Sequence, residues 1–294
     1  RATTPLGLRA AANGRWQLPD EQTWRFAAAV SGNLDRLATT VTLSAPTQAS
    51  FVGNALNLTG EPRIVGTLRA TEFDGTPWFD AGVLPRTSGS VSVDVGADGF
   101  GLDGTLTAEV FGDGPVRVQG NGRWQDQTLE LASFRAWLPR SSLTLTTTGT
   151  ARFAGAAPEL ALSGEWTAMR WPLIGEAAVE STLGTYTLQG ALPYHFDVDA
   201  HARAPLLDGA PEAQFTATGS LDNGLVVIDQ IDGAALGGRL SGSGRVSWIG
   251  DQRWSARFQA QNIDLATLRP DLPGRISTVA TVEGRGFELT SPWT

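Results

Sequence analysis

The chain has 294 residues, 41% hydrophobic and only 18% charged, which is enough apolar material for a large core and too little charge for a disordered chain. A formal net charge of −8 repels phosphate backbones and argues against nucleic acid as a partner. Cysteine is absent, which excludes disulfides, thiolate metal sites and a cysteine nucleophile.

All 22 basic residues are arginine. No stretch approaches the ~20 continuous apolar residues of a membrane-spanning helix. The sequence opens at Arg1 and its one methionine is Met169, so it reads as an internal piece of a longer chain whose targeting signal and membrane anchor lie elsewhere.

In chain order, alternation with a period of two dominates. Trp24, Phe26, Ala28 and Val30 fall on one side of a predicted strand, and Arg25, Ala27, Ala29 and Ser31 on the other. Val91, Val93 and Val95 repeat the pattern, as do Leu106, Ala108 and Val110, and Leu143 and Leu145 ahead of Thr146–Thr148. Leu160, Leu162, Gly164 and Trp166 follow, then Phe196, Val198 and Ala200. The last two series are Leu240 to Trp248 and Trp254 to Ala260. Each series has one apolar or small side and one side of Arg, Ser, Thr, Gln, Asp and Glu, the mark of a sheet with one dry and one wet face. Short turn signals separate the runs: Gly112-Asp113-Gly114-Pro115, Asp222-Asn223-Gly224 and Ile249-Gly250-Asp251. They predict hairpins and an antiparallel meander. Helical signals are few. Asp264 can N-cap a single turn over 265–269 that Pro270 stops, and 175–182 is a weaker candidate. Longer irregular stretches are expected over 74–88 and 203–211.

No composition shift divides the chain, so residues 1–294 read as one continuous segment. Internal similarity is present: Asn13-Gly14-Arg15-Trp16 recurs as Asn121-Gly122-Arg123-Trp124, Leu143–Phe153 resembles Leu240–Trp248, and Gly32-Asn33-Leu34-Asp35 resembles Gly219-Ser220-Leu221-Asp222. Similar units near 1–125, 126–218 and 219–294 point to an elongated sheet built by repetition.

The residues offer little chemistry. His195, Asp197, Asp199 and His201 share one side of a strand and present a metal-ligand type of set. Same-side positions are ~6.6 Å apart, however, so one strand cannot wrap an ion with four of its own residues. Phe196, Val198 and Ala200 form the opposite, apolar side, and the His/Asp side reads as the solvated one. There is no G-x-S-x-G elbow, since Ser241-Gly242-Ser243-Gly244 sits within an alternating strand. Glycine pairs such as Gly237-Gly238 are not followed by the helix a phosphate cradle requires. The expectation is a non-enzyme with no cofactor and no metal.

The ten Trp and twelve Phe read as core residues, and the single apolar face must be buried against something, by folding over as a sandwich, closing as a barrel or curling to leave a groove. A membrane barrel is disfavoured because only 2 Tyr are present, too few for aromatic girdles. A parallel β-helix is disfavoured because coil-length periodicity is missing.

The series Trp254-Ser-Ala-Arg-Phe-Gln-Ala-Gln-Asn-Ile-Asp-Leu265, running into Leu268-Arg-Pro-Asp-Leu-Pro-Gly-Arg-Ile276, with Leu240-Ser-Gly-Ser-Gly-Arg-Val-Ser-Trp248 upstream, resembles repeat units of the TamB family, AsmA-like bridge-type lipid-transfer proteins. Arg170-Trp171-Pro172-Leu173 and Gly32-Asn33-Leu34 are similar to further segments of that family. The resemblance is most specific over 240–286. It implies an all-β, mainly antiparallel sheet curled into a U-shaped apolar groove, a β-taco, in the periplasm. It also implies an inner-membrane anchor outside this segment and an outer-membrane assembly barrel of the TamA/BamA type as partner. On that reading, phospholipid acyl chains travel along the groove between the inner and outer membranes, in support of outer-membrane biogenesis. About twenty strands at ~4.8 Å spacing would give a groove on the order of 100 Å. Phe26, Leu106, Leu145, Leu162, Phe196, Phe215, Leu240, Val246 and Phe258 are expected to line it. The competing reading is a closed β scaffold that chaperones nascent outer-membrane proteins by strand addition, with no lipid path.

Overall fold

The computed structural model describes residues 7–17, 23–45, 47–74, 86–108, 112, 114–155, 157–171, 173, 176–177, 179–205, 211–247, 252–267 and 271–286. It is an all-β structure. The chain divides into two compact units, Arg1–Asp80 with Leu84–Pro139, and Ala81–Val83 with Arg140–Thr294.

Among its described residues the first unit carries nine strands: β1 (Leu8–Gln17), β2 (Thr23–Gly32), β3 (Arg36–Ala45), β4 (Gln48–Leu56), β5 (Arg63–Phe73), β6 (Thr87–Gly96), β7 (Gly99–Ala108), β8 (Val116–Gln125) and β9 (Thr128–Leu138). They pair antiparallel in chain order, from β1 with β2 through to β8 with β9.

The second unit carries β10 (Leu143–Arg152), β11 (Glu159–Trp171), β12 (Val179–Gly190), β13 (Tyr194–Arg203), β14 (Ala213–Asp222), β15 (Leu225–Ala235), β16 (Gly238–Ser247), β17 (Arg253–Asp264) and β18 (Arg275–Arg285). These too pair antiparallel in chain order. Neither meander is closed into a barrel among the described residues.

The expected antiparallel sheet is therefore what the chain forms, and its turns explain why. Asn223-Gly224 joins β14 to β15, with the Asp222 carboxylate accepting from the Asn223 amide at 2.7 Å and Gly224 at a φ of +71°. Two further hairpins close through two residues at positive φ, Asp126-Gln127 and Leu236-Gly237. That is the backbone geometry whose twist matches the flanking strands. Between β2 and β3 the Asn33 side chain accepts from the amides of Asp35 and Arg36 at 3.0 and 2.9 Å.

The helical turn expected after Asp264 occurs at Leu265–Thr267 among the described residues, where Asp264 Oδ1 accepts from the Ala266 amide at 3.0 Å. The weaker helical candidate over 175–182 is corrected: Val179–Thr182 opens β12, because Ser181 and Glu180 pair across to β13. Ile249-Gly250-Asp251 and much of the two irregular stretches lie outside the described residues. Of the internal similarities, Gly32-Asn33-Leu34-Asp35 is a hairpin end, whereas Gly219–Asp222 is extended within β14.

The alternation is interrupted in several strands, and β-bulges repair it. In β15 Ile228 and Ile231 are three apart, yet Gly244 pairs with the first and Gly242 with the second. Asp229 and Gln230 form the bulge between them and keep both isoleucines on one face. The same device separates Ala260 from Ile263, with Asn262 at positive φ, and Ala70 from Phe73, with Glu72 at positive φ.

One face is polar and carries the ion pairs. Arg123 meets Glu130 at 2.7 Å and Arg203 meets Glu180 at 2.6 Å, both as direct cross-strand partners. Arg63 pairs with Asp94 and Arg239 with Asp232. Hydrogen bonding from Arg63 holds the Asp94 carboxyl below its ordinary range, and Arg123 does the same for Glu130. Asp232 is lowered first by Gln230 and then by Arg239. A carboxylate depressed in the folded state contributes stability that is present above its unfolded pKa and is lost as pH falls through the folded value. Urea denaturation midpoints should therefore fall between about pH 5 and about pH 2. The fall should be modest, because the pairs are exposed and screened, and smaller in an Arg63→Gln/Arg123→Gln variant. An equal loss in the variant and the parent would show that these pairs do not contribute.

Candidate functional site

Directly opposed residues of an antiparallel pair share a face, so the register locates every side chain. In the first unit the row Phe26, Leu43, Ala49, Ala70, Gly89, Leu106, Val116 runs strand to strand from β2 to β8. Adjacent rows on that face read Ala28, Val41, Phe51, Leu68, Val91, Gly104, Val118, Ala136, and then Val30, Thr39, Gly53, Gly66, Val93, Leu102, Gly120, Phe134.

The second unit is built the same way. Leu145, Trp166, Gly184, Ala200, Phe215, Gly233, Leu240 and Ala260 form one row. Tyr186, Val198, Ala217, Ile231, Gly242, Phe258 and Ala280 form the next. Leu162, Leu188, Phe196, Gly219 and Ile228 form a third, and Leu221, Val226, Val246, Trp254 and Gly284 a fourth. Of the nine residues expected to line a groove, Phe26 and Leu106 thus lie on the apolar face of the first unit. Leu145, Leu162, Phe196, Phe215, Leu240, Val246 and Phe258 share the apolar face of the second.

This face is partly buried and partly open. Trp24, Val116, Val118 and Trp166 are buried, whereas Phe26, Leu68 and Phe258 retain 40%, 44% and 39% of their accessible surface.

Glycine shapes the surface in a way the sequence reading missed. Nine glycines of the apolar face have an aromatic residue as their direct cross-strand partner, with its ring over the glycine: Gly14 under Phe26, Gly120 under Phe134, Gly122 under Phe100, Gly164 under Tyr186, Gly184 under Trp166, Gly219 under Phe196, Gly233 under Phe215, Gly242 under Phe258 and Gly284 under Trp254. A Cβ on Gly184 would stand 2.2 Å from the Trp166 ring, and one on Gly233 would stand 2.1 Å from Phe215. The rings lean over their neighbours instead of standing off the sheet, which covers the glycine backbone and lowers the relief of the face. The usable signal was glycine in an alternating strand, in register with Phe, Trp or Tyr of the next.

Several polar atoms on this face are bonded within the protein. Trp166 Nε1 donates to Ser181 Oγ at 2.9 Å, and Trp254 Nε1 donates to the Gly286 carbonyl at 3.0 Å. The Tyr186 and Thr147 hydroxyls are 2.6 Å apart. Thr39 Oγ1 donates to the Leu37 carbonyl at 3.2 Å. Tyr194 donates to the Pro158 carbonyl at 3.1 Å, and burial pushes its phenol pKa up. What remains exposed is mostly hydrocarbon and ring.

His195, Asp197, Asp199 and His201 lie on the opposite, polar face, among Thr185, Thr187, Thr216 and Thr218. Asp199 accepts from Gln214 Nε2 at 3.1 Å. Among the described residues no three His, Asp or Glu side chains converge as a metal site would require.

A family model described as TamB, N-terminal domain, matches residues 97–289. No curated protein and no solved structure matches the chain.

The ring-over-glycine geometry makes a paired prediction. Gly184→Ala displaces a Trp166 ring pinned by its bond to Ser181, and should cost about 1–3 kcal/mol in urea denaturation. Gly101→Ala, where a Cβ meets nothing within 4 Å, should be neutral or slightly stabilising. Equal effects at both positions would count against the ring contact. Changing His195, Asp197, Asp199 and His201 together to Ser should leave stability nearly unchanged. A stoichiometric metal in the parent, lost on that change, would reverse the assignment of this cluster to the solvated face.

Proposed function

The chain is a member of the TamB family of bacterial envelope proteins, and from that premise we propose that its apolar face is a path for phospholipid acyl chains in the periplasm. The observation that carries the reading is the apolar face that runs strand to strand in each unit, on which Phe26, Leu68 and Phe258 stay partly exposed and the Trp166 and Tyr186 polar atoms bond within the protein.

A phospholipid carries roughly thirty methylenes at about 0.8 kcal/mol each, so releasing it into water costs on the order of 20 kcal/mol. Transfer between membranes therefore needs continuous dry contact. A face of Leu, Val, Ala, Gly and flattened rings offers that contact without hydrogen bonds that would trap the cargo at one point. The polar face keeps the sheet soluble, and head groups stay in water. In the full-length protein the path runs from an inner-membrane anchor toward an outer-membrane assembly barrel of the TamA/BamA type, and serves outer-membrane biogenesis. The protein acts as a conduit and carries out no chemistry, so the nine lining residues serve as surface and not as a catalytic set.

Phe258 and Arg257 are adjacent on β17 and point to opposite faces. A photo-crosslinking residue placed at 258 in the full-length protein should yield phospholipid adducts by mass spectrometry, and one at 257 should not. Leu145→Arg or Phe258→Asp should block transfer, since a one-dimensional path fails at any break and an unpaired charge on a dry face is strongly unfavourable. Arg257→Asp should have little effect. Equal labelling at 257 and 258, or none at either in folded protein, would favour the scaffold that binds nascent strands.

A further inference from the structure

The apolar face of the first unit differs between the two ends of its strands. At the end where β2 and β8 begin, Trp24, Thr47, Ala108 and Val116 are buried. At the opposite end, the turns between β2 and β9 span 33–35, 57–62, 97–98 and 126–127, and all are described. The last apolar row there runs from Leu37 through Ala55, Ile64, Val95 and Phe100 to Gly122 and Leu131, without a polar residue. Leu34 and Leu58 extend it into the turns, where the Leu58 amide donates to the Leu34 carbonyl at 2.9 Å. Ile64, Val95 and Trp124 keep 46%, 44% and 57% of their surface exposed. Contiguous exposed hydrocarbon of this kind marks a contact surface.

On the polar face at the same strand ends lies a concavity of about 640 Å³, walled by two ion pairs, Arg63 with Asp94 and Arg123 with Glu130. Its floor is glycine: Gly96 beside the Arg63 stem, Gly99 beside Arg123, and Gly101, where a Cβ meets nothing within 4 Å. Gly96 and Gly99 also flank the two-residue β6–β7 turn, Ala97-Asp98, so little side-chain bulk separates the two faces there. Each arginine bonds its carboxylate through Nε and Nη2, which leaves Nη1 outside those bonds. Glu61 and Asp98 complete the wall without an ion pair of their own among the described residues, and Asp98 acts on Arg63 through charge alone. No three of these carboxylates converge as a metal site would require.

We propose that a phospholipid straddles this rim at the β6–β7 turn, with a zwitterionic phosphoethanolamine head in the concavity and its acyl chains on Ile64, Val95 and Phe100. Phosphate accepts from guanidinium N–H groups, and an ammonium donates to carboxylates. The lining holds two guanidiniums and four carboxylates, so a head group with only negative charge is disfavoured and one that carries an ammonium beside its phosphate fits. The low glycine-flanked turn lets one molecule reach both faces. Lipid then joins the apolar face from the side, over a single hairpin. The placement of the tails rests on the acyl-chain reading of that face; recognition of the head group does not.

The test places a photo-crosslinking residue at position 97 of the full-length protein and offers vesicles of equimolar phosphatidylethanolamine and phosphatidylglycerol. Adducts read by mass spectrometry should be mainly phosphatidylethanolamine. Glu61→Lys/Asp98→Lys changes two turn residues and leaves the apolar rows untouched. It should cut phosphatidylethanolamine adducts about tenfold and raise the share of phosphatidylglycerol. Val95→Asp should remove adducts of both lipids, because the tails lose their dry seat. Adducts in the vesicle ratio, unchanged in the Lys variant, overturn the head-group site. Adducts that persist in Val95→Asp overturn the straddling pose. Suppression of adducts by an equal concentration of soluble phosphoethanolamine makes this a site for a free zwitterion and overturns the lipid as ligand. Crosslinking at position 258, measured in parallel, separates the two readings. Adducts at 258 with none at 97 in folded protein sink only the rim site. Adducts at 97 with none at 258 sink the acyl-chain path of the second unit and leave the rim site standing.

Discussion

An antiparallel ladder sends opposed residues to the same face, and this structure depends on holding that rule across nine strands at a time. A slip of one residue in any pairing would turn a whole strand inside out. It would set Arg, Asp and Gln in the middle of a row such as Leu145, Trp166, Gly184, Ala200, Phe215. The bulges at Asp229-Gln230, Gln261-Asn262 and Thr71-Glu72 are best understood in these terms. Each absorbs a break in the alternation and returns the strand to phase, so the apolar face stays continuous where the sequence does not alternate.

With register held, the character of the face follows from its small residues. A sheet that exposes Phe and Trp to water invites aggregation. Here each of nine rings leans over a cross-strand glycine, so part of its surface contacts the sheet. The indole and hydroxyl groups turn inward to Ser181, Thr147, Pro158 and Gly286. The result is a surface low in relief and in free hydrogen-bonding groups.

The two faces are coupled through the strands they share. Ser, Thr, Gln and the arginine–carboxylate pairs keep the reverse side wet and contribute little to stability individually.

Much of this was legible in the residues. The period-two alternation of Trp24 to Val30 or Phe196 to Ala200 specifies strands and assigns sides, because successive side chains of extended backbone must point opposite ways. The Asp222-Asn223-Gly224 turn and the Asp264 cap were readable for the same local reason. So was the placement of Phe26, Leu106, Leu145, Leu162, Phe196, Phe215, Leu240, Val246 and Phe258 together on apolar sides. Pairing information was not readable. Which glycine lies beneath which ring, that Asp126-Gln127 and Leu236-Gly237 close tight hairpins, that Val179–Thr182 joins a strand, and that Arg253 meets Arg285 all depend on register between segments distant in sequence. Alternation is a property of one strand and is dictated by its own backbone. Register is a property of two strands, and only the folded sheet, through its turns, bulges and cross-strand contacts, selects it.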